Sequence, residues 1–243
     1  MLSIVIPIHN EELILESEMS AMNTALKQNL PDLNYEVLLV ENGSRDRTLE
    51  IAQQISNTMP EVRVVSLASA SYGGAVKEGI LRAGGDLIAI LNIDFWDIEF
   101  IKKALDILAY DKYDIVLGSK TMGGAKDLRP WTRRWITAGL NAILHLVFNF
   151  KGTDTHGMKM FSREKVAPIA GQCLTEREIF DTEMILRAQY QGLKTKEVPV
   201  ICVEKRPSTL IAKNPMRILK LGWRTIRDLT IVFFSTRGVY RKK

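Results

Sequence analysis

Five short runs, SIVIPI, YEVLLVE, VRVVSLA, DLIAILN and YDIVLGS, recur through the first half of the chain, each too apolar for a strand with one face in water. Helical patterns separate them. Leu15, Met19, Met22 and Leu26 stand at helical spacing between the first two runs, and Leu49, Ala52 and Ile55 between the second and third. Ser44 is placed to cap the second of these helices, and Pro60 follows its end. Strands buried on both faces and alternating with helices predict an α/β fold with a mostly parallel sheet and right-handed crossovers. At 243 residues, one large core with an appendage is expected.

In an open parallel sheet, ligands sit at the carboxyl ends of the strands, where loops present polar groups. Those ends read PIHNEE, VENGS, NIDFWD and GSK. The third is the most informative, because an apolar strand stops on Asn92, Ile93 and Asp94, with Phe95 and Trp96 behind them. Asp94 either caps a helix that starts near Asp97 or holds a ligand. SYGGAVKEG offers only a permissive turn, since its glycine spacing matches neither a Walker loop nor GxGxxG.

Beyond Lys120 the alternation stops. RPWTRRWITAGLNAILHLVF reads as a helix with Arg129, Arg133 and Arg134 near its start, and GTDTHGMKMFSRE as a loop leading into a turn or strand. DTEMILRAQYQG reads as a short helix closed by Gly192, and KTKEVPVICVE as a further strand.

Charge divides the chain. Residues 205–243 carry 11 Lys and Arg against one acid, Asp228, leaving 22 basic against 27 acidic residues in 1–204. Two cysteines, Cys173 and Cys202, 29 positions apart, suggest neither a disulfide framework nor a zinc site and read as buried hydrophobes in a reducing compartment. No secretory leader is expected from the first residues, and the longest apolar stretches fall short of the roughly 20 residues a membrane span needs.

Six collinear segments carry a family resemblance. IVIPIHNEE resembles VVIPTYNE, LLVENGSRDRT resembles VVDDGSxDxT, and GDLIAILNIDFWD resembles GDxxxxxDADLQD; VLGSK, TDTHGMKMFSRE and EMILRAQYQGLKTKEVPV find counterparts in the same order. The chain thus resembles the family 2 glycosyltransferases of GT-A fold, and among them the polyprenyl-phosphate sugar synthases typified by dolichol-phosphate mannose synthase. The likeness runs from residue 2 to about residue 210.

The resemblance implies transfer of a sugar from a nucleotide donor to a polyprenyl phosphate, with inversion and with Mg²⁺ or Mn²⁺. It makes Asp94 the metal ligand and places Asn92 and Ile93 beside it. Pro7, Ile8, His9, Glu11, Glu41 and Asn42 fall where the family cradles base and ribose, and Arg206 where it binds the diphosphate. Asn92 and Asn42 stand where the family has acids, Trp96 where it has glutamine, and His9 where it has tyrosine; an asparagine bonds a ribose hydroxyl but adds no charge to a metal site. Lys120, Arg133, Thr137 and Lys159 match positions that bind the acceptor phosphate, and Asp94, Lys120 and Arg133 are the implied catalytic groups. Arg133 and Thr137, four apart, share a helix face. For a lipid phosphate, already an anion, no strong base is required; a hydroxyl acceptor would need a carboxylate, for which Asp181 and Glu183 are candidates, although first-turn acids favoured by the helix dipole are the preferred reading.

The expected organisation is a GT-A domain over 1–205 and a basic amphipathic tail over 206–243. In that tail Arg217, Lys220, Arg224 and Arg227 form one stripe and Ile218, Leu219, Trp223, Ile226 and Leu229 the neighbouring face, as in a helix that lies in a membrane interface. The alternative packs that apolar face on the body. The expected setting is the cytoplasmic face of a membrane, peripherally bound, with an integral anchor protein as a further partner and no nucleic acid. Competing functions are transfer to a hydroxyl and a weakened homologue that only binds nucleotide or lipid.

Overall fold

The structure is a computed structural model and describes residues 1–128, 131–202 and 215–240. Its elements run β1 (Leu2–Ile8), α1 (Leu15–Asn29), β2 (Tyr35–Asn42), α2 (Thr48–Thr58), β3 (Val62–Leu67), α3 (Tyr72–Arg82), β4 (Leu87–Ile90), α4 (Ile98–Tyr110), β5 (Ile115–Ser119), β6 (Lys126–Asp127), α5 (Trp131–Phe148), β7 (Lys159–Ser162), α6 (Arg163–Gln172), α7 (Phe180–Tyr190), β8 (Thr195–Pro199), β9 (Ile201–Cys202) and α8 (Pro215–Tyr240). Seven strands form one sheet in the order β3-β2-β1-β4-β7-β5-β8, parallel except for β7. Strand order reverses beside β1, which opens a crevice between the ends of β1 and β4. Two apolar clusters cover the sheet, one built on α1, α2 and α4, the other on α3, α5, α6, α7 and α8.

Most of the expected strands are buried on both faces, as the runs imply, but β3 is not: Arg63 and Ser66 are exposed, as suits the edge strand of the sheet. KTKEVPVICVE is not one strand either. Its first part is β8 on the main sheet, and Ile201–Cys202 leaves to pair with β6. Ser44 does not cap α2; the Asp46 carboxylate accepts the Thr48 N–H at 3.0 Å, while Ser44 is drawn away by Glu41 and Asn10. Gly192 does close α7, with φ +87°.

The one antiparallel strand decides where chemistry can occur. β7 runs against β4 and β5, so that Lys159, its first residue, pairs with Ile90 and Leu117 near the carboxyl ends of both neighbours. The loop before it must cross β5 tightly. Gly118 N–H donates to Met158 O at 2.7 Å, and a Cβ on Gly157 would stand 1.9 Å from Gly118 O, so only glycine fits.

Candidate active site

On the β1–β3 side, two loops are interlocked. Asn10, at φ +55°, donates its N–H to Ser44 Oγ (3.0 Å) and accepts the Arg45 N–H at Oδ1 (2.9 Å). Glu11 N–H donates to Thr48 Oγ1 (2.7 Å), and His9 Nδ1–H to Asn42 O (2.8 Å), with Asn10 Nδ2 donating to His9 Nε2. IHNEE and NGSRDRT are therefore one knot of backbone and side-chain hydrogen bonds. Pro7, which has no N–H to give, lies past the end of the β1–β4 ladder at Val5↔Ile90. Buried Asn42 accepts the Ser71 N–H at Oδ1 (2.5 Å) and so ties the end of β2 to the start of α3.

A cleft of about 540 Å³ opens here, lined by His9, Asn10, Gly43, Arg45, Ala68, Ser69 and Ala70, within the size range of small-molecule sites. Of the expected base and ribose residues, only His9 lines it. Ile8, Glu11, Glu41 and Asn42 are buried beneath. Burial disfavours the Glu41 carboxylate, but hydrogen bonds from the Ser44 N–H (2.5 Å), Ser66 Oγ (2.9 Å) and the Gly43 backbone outweigh that and hold it below its usual pKa. Arg45, an exposed cation at the cleft, had no place in the sequence reading, since nothing in GSRDRT marks it.

The NIDF turn resolves the question of Asp94. Asn92 and Phe95 form an isolated bridge, exchanging N–H···O bonds of 3.3 and 3.0 Å, which puts Ile93 and Asp94 at the tip. Ile93 is buried and anchors the tip, while Asp94 and Asn92 are half-buried. The helix-cap role belongs to Asp97, whose Oδ1 accepts the Glu99 N–H at 2.9 Å. Trp96 turns toward α1, where its Nε1–H donates to Glu18 at 2.9 Å.

Across the crevice, Lys120 Nζ lies 5.8 Å from the Phe95 ring centroid, next door to Asp94, and 3.1 Å from Asp154 Oδ2. Lys159 Nζ is 2.9 Å from Asp181 Oδ2, with Lys159 1% and Asp181 0% exposed. Tyr72 O–H also donates to that oxygen (3.0 Å), and Asp181 Oδ1 is a buried atom with no hydrogen-bond partner. Burial opposes the Asp154 carboxylate, but Lys120 and the His156 N–H hold its pKa low. His156 donates from Nε2 to Glu178 O (2.9 Å) and accepts at Nδ1 from Thr155 Oγ1 (3.0 Å), and burial pushes its pKa down. Burial and the neighbouring Asp181 drive the Tyr72 hydroxyl pKa well up. The two lysines are thus met by two aspartates in a neutral buried cluster. Asp154, His156 and Tyr72 escaped the sequence reading because their partners lie far along the chain, as Lys120 and Asp154 do at 34 positions.

Both candidate bases are committed elsewhere. Asp181 and Glu183 do lie in the first turn of α7, fully buried. Glu183 accepts from the Leu174 and Thr175 N–H groups, Thr175 Oγ1 and Arg187. Thr137 is half-buried on α5; the Arg133 side chain and all of Arg206 lie outside the described residues. Among the described residues no three His, Cys, Asp or Glu converge as a metal site.

The glycosyl transferase family 2 profile matches residues 3–182. The chain belongs to that family. It is 27% identical over 226 residues to the human dolichyl-phosphate beta-glucosyltransferase, covering 86% of this chain and 69% of the relative. It is 30% identical over 214 residues to the Drosophila melanogaster protein of that name, covering 82% and 66%. To the glycosyltransferase AglD of Haloferax volcanii it is 28% identical over 201 residues, covering 82% of this chain but 32% of the relative. The chain therefore spans about two thirds, or a third, of these relatives. Among solved structures it is similar to glucosyl-3-phosphoglycerate synthase from Mycobacterium tuberculosis with Mn²⁺, UDP-glucose and phosphoglyceric acid (TM-score 0.65, 18% identity, 96% of this chain and 79% of that one). A mannosyltransferase from Pyrobaculum calidifontis with GDP-mannose and Mn²⁺ gives 0.63 at 17% identity, over 98% and 69%. The fold of this family 2 chain is GT-A.

Proposed function

We propose that this family 2 chain transfers a sugar from a nucleotide diphosphate donor to a polyprenyl phosphate, with inversion at the sugar carbon. The names of its relatives favour glucose over the mannose of the sequence-level archetype. One observation carries the acceptor class: Asp181 and Glu183, the carboxylates available as bases for a hydroxyl, are wholly buried and bound to cations and N–H groups. A phosphate monoester needs no such base.

In this reading the donor lies over the His9–Ala70 cleft, with Glu41 bracing the cleft from beneath through Ser44 and Ser66, and Arg206 on the diphosphate. Arg133, Thr137 and Lys120 bind the acceptor phosphate, while Lys159, buried against Asp181, does not reach it and instead holds the cluster beneath them. Lys120 gives one of its three N–H bonds to Asp154 and keeps the others for that phosphate. The acceptor oxygen attacks the anomeric carbon, the bond from that carbon to the diphosphate breaks, and its electron pair leaves on the nucleoside diphosphate. Asp94, with the Asn92 amide oxygen, fits a hard divalent ion that takes its other ligands from substrate phosphates, and such an ion neutralises the leaving charge when bound. The chain holds acceptor and donor in line and supplies charge.

Residues 206–243 serve as a membrane-facing extension at the cytoplasmic leaflet. No helix among the described residues is long and apolar enough to cross a membrane. α8 divides its apolar residues: Leu229 and Val232 are in the core, whereas Trp223 and Ile226 face out beside exposed Lys220, Arg224 and Arg227. An integral anchor protein is a further partner. Incubation with UDP-glucose or GDP-mannose, Mn²⁺ or chelator, and either a short polyprenyl phosphate or a sugar alcohol tests this reading. Metal-dependent glucosyl transfer to the lipid phosphate is expected; transfer to the hydroxyl acceptor alone would end it.

A further inference from the structure

Arg45 and Arg47 share the loop that joins β2 to α2, yet only one of them has a carboxylate. Arg47 donates from Nε and Nη2 to Glu50 at 3.0 and 2.8 Å. Arg45 lines the donor-side cleft, exposed, and its guanidinium makes no hydrogen bond or ion pair among the described residues. The acids near it in sequence are committed: Asp46 accepts from Thr48 and the Glu12 N–H, and Glu41 from Ser44 and Ser66. The backbone of Arg45 is nonetheless fixed, because its N–H donates to Asn10 Oδ1 at 2.9 Å. A cation anchored by its backbone at a cavity, with every guanidinium N–H unspent, is placed for a ligand.

The rest of the lining narrows what that ligand offers. His9, Asn10, Gly43, Ala68, Ser69 and Ala70 bring no carboxylate. His9 uses both ring nitrogens within the wall, on Asn42 O and Asn10 Nδ2, and its ring plane is left for contact with another flat group. Gly43 runs close against the facing loop, where a Cβ would stand 3.0 Å from Ala70 N. The cleft thus joins small walls to one strong hydrogen-bond donor.

We infer that Arg45 reads the donor's nucleobase at a ring carbonyl oxygen and makes the cleft select uracil. This rests on the donor site proposed above. Uracil presents a carbonyl, O4, where cytosine presents an amino group, N4–H2. A guanidinium has only N–H groups, so it bonds the first and opposes the second. Guanine has a carbonyl too, but its N1–H and N2–H2 need an acceptor, and the Glu41 carboxylate is occupied beneath the cleft. Because Arg45 is exposed, water offsets part of a lost bond, and discrimination on the order of tenfold is expected in place of the far larger ratio of a sealed site.

Titration calorimetry of the full chain with UDP, CDP and GDP in Mn²⁺ tests this. UDP should bind on the order of tenfold more tightly than CDP, and more tightly than GDP. UDP and CDP share ribose and diphosphate, so their ratio isolates the base. Arg45→Gln, whose amide both donates and accepts, should bring that ratio toward one, Arg45→Glu should favour CDP, and Arg45→Lys should keep part of the UDP preference. In steady state Arg45→Gln should raise the KM for UDP-glucose with kcat nearly constant. Each variant keeps the backbone N–H that Asn10 accepts, and an unaltered Tm verifies its fold. A UDP-to-CDP ratio equal in Arg45→Gln and parent would overturn the inference even if both nucleotides bind more weakly, since an arginine that only attracts phosphate weakens both alike. Tighter binding of GDP than UDP by the parent would overturn it as well. If the parent binds none of the three, the donor reading fails and this inference with it; if it binds them with a ratio indifferent to Arg45, the donor reading stands and the role of Arg45 alone falls.

Discussion

The two halves of the crevice are built by different physics. On the donor side, loops after β1 and β2 are stitched by hydrogen bonds between short polar side chains and backbone, and Asp94 stands on an open turn. On the acceptor side, Lys120 and Lys159 are sunk into ion pairs with Asp154 and Asp181. Loss of the Asp94 charge leaves the hydrogen bonds that stitch the donor-side loops in place. The acceptor side has no such latitude, since each buried ion exists only with its partner.

The largest effect should therefore be Asp181→Asn, which leaves the Lys159 ammonium buried without a counter-ion and should cost about 3–5 kcal/mol of stability, read as a lowered Tm and denaturant midpoint. Combining Lys159→Met with Asp181→Leu should recover part of that loss, because no orphan charge remains. A Tm unchanged by Asp181→Asn would mean the halves do not differ as described. Asp94→Asn is the counterpart on the donor side: transfer should fall on the order of 10³-fold, the several kcal/mol a metal site supplies, with the Tm nearly unmoved.

The sequence was informative where local pattern coincides with structure, and silent where it does not. SIVIPI and YEVLLVE disclose buried parallel strands because both faces of each must be apolar, and β1 and β2 are buried almost throughout. KMFS has no such length, and its antiparallel course, which brings Lys159 to the site, depends on Gly157 passing Gly118 at a distance no spacing rule contains. Asp94 was visible as a carboxylate after a strand. That it is not the helix cap became plain only when Asp97 took the Glu99 N–H. Asn42, a departure from the acidic pattern, turns out to be a pin for Ser71, a role an asparagine carbonyl fills without charge.

Protonation offers a finer separation of the halves. His156 faces Asp154, Asp181, Lys120 and Lys159, and burial lowers its pKa below the ordinary value of about 6.5. The unfolded chain then binds a proton more readily than the folded one. Its contribution is fully present above about pH 6.5 and is lost as the pH falls toward the folded pKa. Tm should decline on that interval, and His156→Gln, which retains a donor and an acceptor, should flatten the decline. Asp154 acts further down: its depressed pKa contributes stability above about pH 4 that is lost as the pH falls through the folded value.

The smallest effect probes how firmly the donor side holds Asp94, the carboxylate proposed for the metal. Trp96 follows the NIDF turn, and its indole N–H reaches Glu18 on α1 at 2.9 Å, so that α1 braces the segment joining Asp94 to the cap of α4. Trp96→Phe keeps most of the packing and removes that bond to a carboxylate, a loss of about 1.5–3 kcal/mol at most and less where water replaces it. If the brace merely stabilises, Tm drops and transfer per folded molecule stays constant. If it positions Asp94, half-saturation by Mn²⁺ should rise several-fold in Trp96→Phe and return toward the parent value in Glu18→Gln, which still offers the indole an acceptor. Asn92→Asp should move the same quantity the opposite way, because a second carboxylate beside Asp94 strengthens the hold on a hard cation without touching the acceptor cluster.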